Sequence, residues 1–308
     1  IPEVTANLNV GQELPENVRV AGEVRGNMTL RGDGALSGEV PASNGNTLLL
    51  ISNVENGVVR SDLINNLLLD PGQQDNQLNA VEQIVLENNF RGVVLDYQQV
   101  DAAPSARADF VFLMTRMAER LHNSNKELVV KVAKPTQVSA EEWNTLGYDW
   151  VGLSSVVDKL VVPASLDPRA YRADGEMAAL LSWATEMVER RKLQIELPTQ
   201  SVETVGNYLF AKGYKEALQP LLQEIDAETA NGQEVSLTAD NPRLANRLSK
   251  DDSTGAYFYT YTDDQGAQHR SRDFRRHRAA ERLRRLGRRE IARRRGHPRG
   301  FRRQGSPQ

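Results

Sequence analysis

The chain has no cysteine among its 308 residues. That excludes disulfides and thiolate metal sites. It does not fix the compartment, because a core of this size needs no covalent staple. Histidine is also scarce. His122, His269, His277 and His297 show no HExxH or other ligand spacing, so they read as surface residues; no metal and no other cofactor is expected. No run of 18 apolar residues occurs, so no membrane-spanning helix is expected. The first residues, Ile1-Pro2-Glu3-Val4, have neither the charged nor the apolar region of a signal peptide; a secreted protein would carry its signal upstream. No G-x-G-x-x-G follows a strand, which weakens a dinucleotide site, and no G-x-S-x-G elbow supports an esterase.

What is present is uneven. From His269 to Gln308 there are sixteen arginines against Asp273, Glu281 and Glu290, a charge of +13, so the first 268 residues carry −16 of the net −3. An acidic body and a basic tail mark a boundary. Residues 1–16, with Pro2 and Pro15, read as a linker or entry arm. Residues 17–268 read as the folded unit, and residues 269–308 as an Arg-rich tail outside it. The tail has no lysine and few stacking aromatics, which makes nucleic acid an improbable partner. It reads as a solvated arm, as a helix over Ala279–Arg295 facing an acidic partner, or as the out-of-frame end of a reading frame.

With 39% apolar residues the body can hold one large core or two small ones. Strand-like and helix-like segments alternate along it. Leu48–Ile51, Val93–Asp96, Leu128–Val132, Leu160–Val162 and Leu193–Leu197 are short apolar runs, hence buried strands. Leu78, Val81 and Val85 keep a helical period, as do Phe110, Leu113, Met114, Met117 and Leu121. Further helices are expected over Glu141–Leu146, Met177–Arg190 and Lys215–Ile225. Strands are expected at Trp150–Leu153, Val235–Leu237 and Tyr257–Tyr261. Repeated strand–helix units imply a parallel sheet, and their number suits a (β/α)8 TIM-type barrel with an incomplete eighth strand. Trp143, Trp150 and Trp183 fall on apolar faces and read as core.

The run Phe90-Arg91-Gly92-Val93-Val94-Leu95-Asp96-Tyr97-Gln98 resembles the strand signature of family 18 glycoside hydrolases, the chitinase-like barrels, which closes in Asp-aromatic-Glu. Asn27–Leu30 followed by Asp33–Gly38, Leu63–Leu68, Ala108–His122, Glu127–Pro135, Val157–Val162, Tyr214–Leu218 and Tyr257–Tyr261 resemble further segments in order, the late ones those of the spore-germination and cell-wall branch. In that family the final Glu protonates the leaving oxygen and the substrate's own N-acetyl carbonyl is the nucleophile. Here the acid position is Gln98, which has no titratable proton; Asp96, two residues earlier, is kept. The sixth strand of the family closes Met-x-Tyr-Asp, and the aligned residues are Pro163-Ala164-Ser165-Leu166.

The resemblance therefore implies a catalytically degenerate relative with no intact catalytic set. Its expected substrate-binding residues are Asp96, Gln98, Asn53 and Ser165, and its expected partner is an N-acetylglucosamine-containing glycan, chitin-like or peptidoglycan-like, at the cell surface or envelope. The competing readings are an active hydrolase with a relocated acid and a structural surface protein with a vestigial groove. For the residues themselves the plainer readings also stand: a polar strand cap for Gln98, and a partner for a helix N-terminus for Asp96.

Overall fold

The computed structural model describes residues 23–213 apart from 140, 173 and 199, then 216–217, 219–220, 249–252, 257–263 and 265–272. The entry arm, most of the expected helix Lys215–Ile225, the expected strand Val235–Leu237 and the tail beyond residue 272 lie outside these. The chain divides into two compact units: residues 1–164 with 183–197, and residues 165–182 with 198–308. One unit had been expected over residues 17–268.

The first unit opens with β1 (Glu23–Leu30) and the short β2 (Leu36–Ser37), then β3 (Thr47–Ser52), the hairpin β4 (Val54–Glu55) and β5 (Val58–Val59), and helices α1 (Ser61–Leu69) and α2 (Pro71–Glu87). It continues through β6 (Gly92–Asp96), α3 (Pro104–Asn123), β7 (Glu127–Lys131), the short ladder of β8 (Thr136–Gln137) with β9 (Trp143–Asn144), α4 (Trp150–Val156) and β10 (Lys159–Pro163). After α5 (Glu176–Met187) comes β11 (Leu193–Glu196). One sheet runs β11-β10-β7-β6-β3-β1-β2. All its pairings are parallel except that of β2 with β1. Strands therefore lie side by side in chain order, the order of a sequentially wound α/β barrel. Every residue of β6 is buried, as expected of a strand covered on both faces.

Local chemistry explains the elements. Asp70 caps α2 by accepting from the N–H groups of Gly72 and Gln73, with Pro71 in the first turn. The helical stripe of α3 buries Phe110, Leu113, Met114, Met117 and Leu121, and leaves Phe112 outside. Asn56 and Gly57 both have positive φ, 51° and 79°, as a two-residue hairpin turn requires. Gly34 is confined to glycine for two reasons: its φ is 83°, and a Cβ there would lie 2.1 Å from the Gln73 carbonyl oxygen.

Two expected elements come out differently. Trp150–Leu153 is helix, not strand: Asp149 accepts from the Gly152 N–H as a cap, and the buried residues Trp150, Leu153 and Val157 fall at i, i+3 and i+7, a period too short-lived in sequence to separate from an apolar strand. Glu141–Leu146 is not a helix. Val138 and Glu142 bond backbone to backbone, and Asn144 accepts from the Leu146 N–H while Leu146 takes a φ of 58°, which closes a turn. The three tryptophans do pack together, Trp183 lying 5.7 Å from Trp143 and 4.9 Å from Trp150 between ring centroids.

The second unit is an antiparallel sheet of β12 (Ser201–Val205), β13 (Tyr208–Lys212), β14 (Ser249–Lys250), β15 (Tyr257–Thr262) and β16 (Gln268–Arg272), in the order β13-β12-β16-β15-β14. The expected strand Tyr257–Tyr261 is β15. The basic segment begins inside the sheet: β16 is its middle strand, and Arg270 lies 3.6 Å from the Phe258 ring centroid. One face carries a polar network. Glu203, almost fully buried, meets Lys212 at 2.8 Å, the Tyr261 hydroxyl at 2.8 Å and His269 Nδ1 at 3.0 Å. His269 Nε2 lies 2.9 Å from Asp263.

Candidate functional site at the C-terminal strand ends

Asp96 is the last residue of β6, Lys131 of β7 and Glu196 of β11. Side chains leaving the C-terminal ends of parallel strands converge where α/β barrels place their sites. Here they meet at one ammonium: Lys131 Nζ lies 3.0 Å from Asp96 Oδ2 and 3.0 Å from Glu196 Oε2. The Lys131 side chain is 23% exposed, and Glu196 opens to solvent at 42%. Burial pushes the ammonium toward its neutral form, but Asp96 and Glu196 outweigh it and hold the lysine above its usual range. Asp96 thus pairs with a lysine rather than with a helix N-terminus.

Tyr97 separates Asp96 from Gln98 and faces the other way. Its fully buried hydroxyl meets the side-chain amide of Gln77 on α2, so Asp96, its neighbour at the end of β6, points away from α2. Burial drives the Tyr97 phenol far above its ordinary range. Tyr148, also buried, donates to the Tyr97 carbonyl at 2.6 Å. Its own phenol is raised by burial first and by the charge of Asp96 second.

Two asparagines fix the chain that carries Gln98. Asn53 Oδ1 accepts from the Gln98 N–H at 2.8 Å, and Asn53 Nδ2 donates to the Gln98 carbonyl at 2.9 Å and to the Arg60 carbonyl at 3.0 Å. Asn65 Oδ1 accepts from the Asp101 N–H at 3.0 Å, and its Nδ2 donates to the Gln99 carbonyl at 3.3 Å. Between them Gln99 takes a φ of 57°, a left-handed conformation that costs a non-glycine residue about 1–2 kcal/mol. Such strain persists where the surroundings over-determine it, and it clusters at functional sites.

The expected residues are therefore placed unequally. Asp96 ends β6 and Gln98 follows it two residues on, its backbone held by Asn53. Asn53 lies beside them, but it is fully buried and its amide is engaged with backbone, so it holds the Gln98 segment. Ser165 belongs to the second unit; its N–H meets Met177 Sδ at 3.3 Å, its carbonyl accepts from Tyr171 at 2.7 Å and its hydroxyl accepts from the Asp167 N–H at 3.3 Å. Lys131, Glu196, Asn65 and Tyr148 were missed. The signal for the first two was legible: Lys131 interrupts the apolar run Leu128–Val132, and Glu196 closes a strand two residues before Pro198. Among the described residues no group of three or more His, Cys, Asp or Glu is arranged to hold a metal ion.

No family model matches the chain. Over 167 residues, 52% of its length, it is 23% identical to the Bacillus subtilis protein named "Putative sporulation-specific glycosylase YdhD", of which the match covers 39%; the chain thus spans about two fifths of that curated relative. The crystal structure of the same Bacillus subtilis protein superposes with a TM-score of 0.64 at 18% identity, covering 87% of each chain. The spore cortex-lytic enzyme SleL of Bacillus megaterium gives 0.59 at 17% identity over 82% of this chain and 58% of that one. A chitinase from Chromobacterium violaceum gives 0.59 at 17% identity over 82% and 78%. The fold is that of the chitinase-like α/β proteins.

Proposed function

We propose that this chain is a chitinase-like barrel of the family 18 type that binds an N-acetylated polysaccharide, chitin-like or peptidoglycan-like, at the cell surface or envelope without cleaving it efficiently. The observation that carries the reading is Gln98 two residues after Asp96 at the end of β6, an amide where the resemblance requires a carboxylic acid. An amide can donate to a glycosidic oxygen but cannot protonate it, and losing general-acid catalysis costs about 10²–10⁴-fold in rate. Relatives named for chitin and for the spore cortex support the polymer class.

A second reading, a hydrolase with a relocated acid, has one residue in its favour. Glu196 is a partly exposed carboxyl group at the same strand ends. Its carboxyl group is engaged with the Lys131 ammonium at 3.0 Å, so it reaches a glycosidic oxygen only by giving up that pair. Incubating the protein with N-acetylglucosamine oligomers and with peptidoglycan glycan, followed by product analysis, separates the two: binding without new reducing ends supports the first reading, and turnover abolished by Glu196→Gln supports the second.

A further inference from the structure

A glycosidase acid stays protonated at working pH because it is buried and because a second carboxylate nearby resists a second negative charge. Asp96 is the second carboxylate at these strand ends, and the ammonium of Lys131 lies 3.0 Å from it and offsets part of its charge. The lysine is further held by Glu196 at 3.0 Å, so it is fixed from both sides. Position 98 is equally fixed, since both backbone groups of Gln98 are bonded to Asn53. A side chain at that position therefore starts from a fixed backbone two residues after Asp96.

We propose that Lys131 is a second determinant of the chemistry of this site, besides Gln98: by pairing with Asp96 it offsets the carboxylate–carboxylate repulsion that would keep an acid at position 98 protonated. The inference rests on the reading of Gln98 as the acid position. Lys131 touches no reacting atom in this account; it acts through Asp96. Restoring the acid is then insufficient to restore a proton donor, because the introduced carboxyl ionises in the ordinary range.

The test is a carboxyl titration by carbon-13 NMR, read without any glycan, on the full chain carrying Gln98→Glu alone and combined with Lys131→Met, Lys131→Gln or Lys131→Arg. Lys131→Gln keeps hydrogen-bonding groups beside Asp96 and Glu196 while removing the charge, and it serves where Lys131→Met does not fold. The carboxyl introduced by Gln98→Glu is expected to titrate near the ordinary glutamate value of about 4.3 with Lys131 in place. Its proton affinity should rise about tenfold or more with either neutral replacement and stay unchanged with Lys131→Arg. Equal titration in the charged and neutral backgrounds overturns the proposal, as does a strongly raised value with Lys131 present. A merely structural lysine would move stability but not this titration. Calorimetry of the unaltered protein with N-acetylglucosamine oligomers tests the binding reading separately, so either can fail alone.

Discussion

Asn53 bonds to both backbone groups of Gln98, accepting from its N–H at 2.8 Å and donating to its carbonyl at 2.9 Å. The ladder between β3 and β6 ends at the pair Ser52 and Asp96; beyond it the asparagine side chain does what the next backbone pairing would have done. Its third bond, to the Arg60 carbonyl, ties the start of α1 to the same point. The position of Gln98 is thus set by a residue outside the strand that carries it.

Asn53→Ala should therefore destabilise strongly. It leaves the Gln98 N–H and carbonyl without their partner, while the Arg60 carbonyl keeps the Leu63 N–H; each unsatisfied buried group costs about 1–3 kcal/mol. We expect a loss of about 3 kcal/mol in urea unfolding. A change below about 1 kcal/mol would mean that water or a neighbour replaces the amide, and that the segment is not held as described.

The unaltered protein should release no product from chito-oligosaccharides or peptidoglycan glycan above background, and Gln98→Glu alone should recover little. On the proposed family alignment Pro163–Leu166 lack the Tyr and Asp of the sixth strand, and that and the charge of Lys131 both stand against recovery. Reducing-end assays decide it: robust hydrolysis by the unaltered chain removes the non-hydrolytic reading, and strong rescue by the single substitution shows that neither obstacle matters.

Binding of N-acetylglucosamine oligomers is expected at about 10⁻⁵–10⁻³ M by calorimetry. Asp96→Ala should weaken it by about 1–2 kcal/mol through the lost acceptor. Absence of heat with every N-acetylated glycan favours the structural-protein alternative.

The polar network of the second unit predicts a pH optimum for its stability. Asp263 and then Glu203 raise His269 above the ordinary imidazole range, against some burial. Its contribution is fully present below the unfolded value of about 6.5 and is lost as pH rises through the folded value. Burial alone would raise Glu203, but Lys212, Tyr261 and His269 outweigh it and hold the carboxyl low. That contribution is present above the unfolded value of about 4.3 and is lost as pH falls through the folded one; Asp263, also lowered chiefly by His269, acts in the same direction. Thermal unfolding followed between pH 3 and 9 should show this unit most stable at about pH 5–6. His269→Gln should flatten the alkaline limb; an unchanged limb would show that another group controls it.

Truncation separates the basic segment into two parts. A chain ending at Gln268 lacks most of β16, the middle strand between β12 and β15, and should lose the second sheet. A chain ending at Arg272 keeps the strand. Far-ultraviolet circular dichroism and proteolysis compare them. A fully folded protein ending at Gln268 would contradict the pairing, and would favour the sequence-based boundary at residue 269.

Much of the first unit could be read in the sequence because its strands are buried on both faces and its helices on one. Such elements write continuous apolar runs or a 3.6 period into the chain, and the segments from Leu48 to Leu197 fall where those patterns put them. The two-residue spacing of Asp96 and Gln98 is likewise legible in the sequence alone. Short elements were misread at 141–146 and 150–153, where a cap or a turn made by one side chain decides between helix and strand. The start of the basic segment was not legible for a related reason: composition suggested a solvated arm from His269 on, yet β16 alternates its side chains between two faces, so Ser271 is fully buried while Arg270 lies over the Phe258 ring. What only the tertiary structure decided is the charge state of the site. Asp96, Lys131 and Glu196 are 35 and 65 residues apart in sequence steps, and no local pattern brings them together. The parallel sheet does, by bringing the C-terminal ends of β6, β7 and β11 within reach of one ammonium.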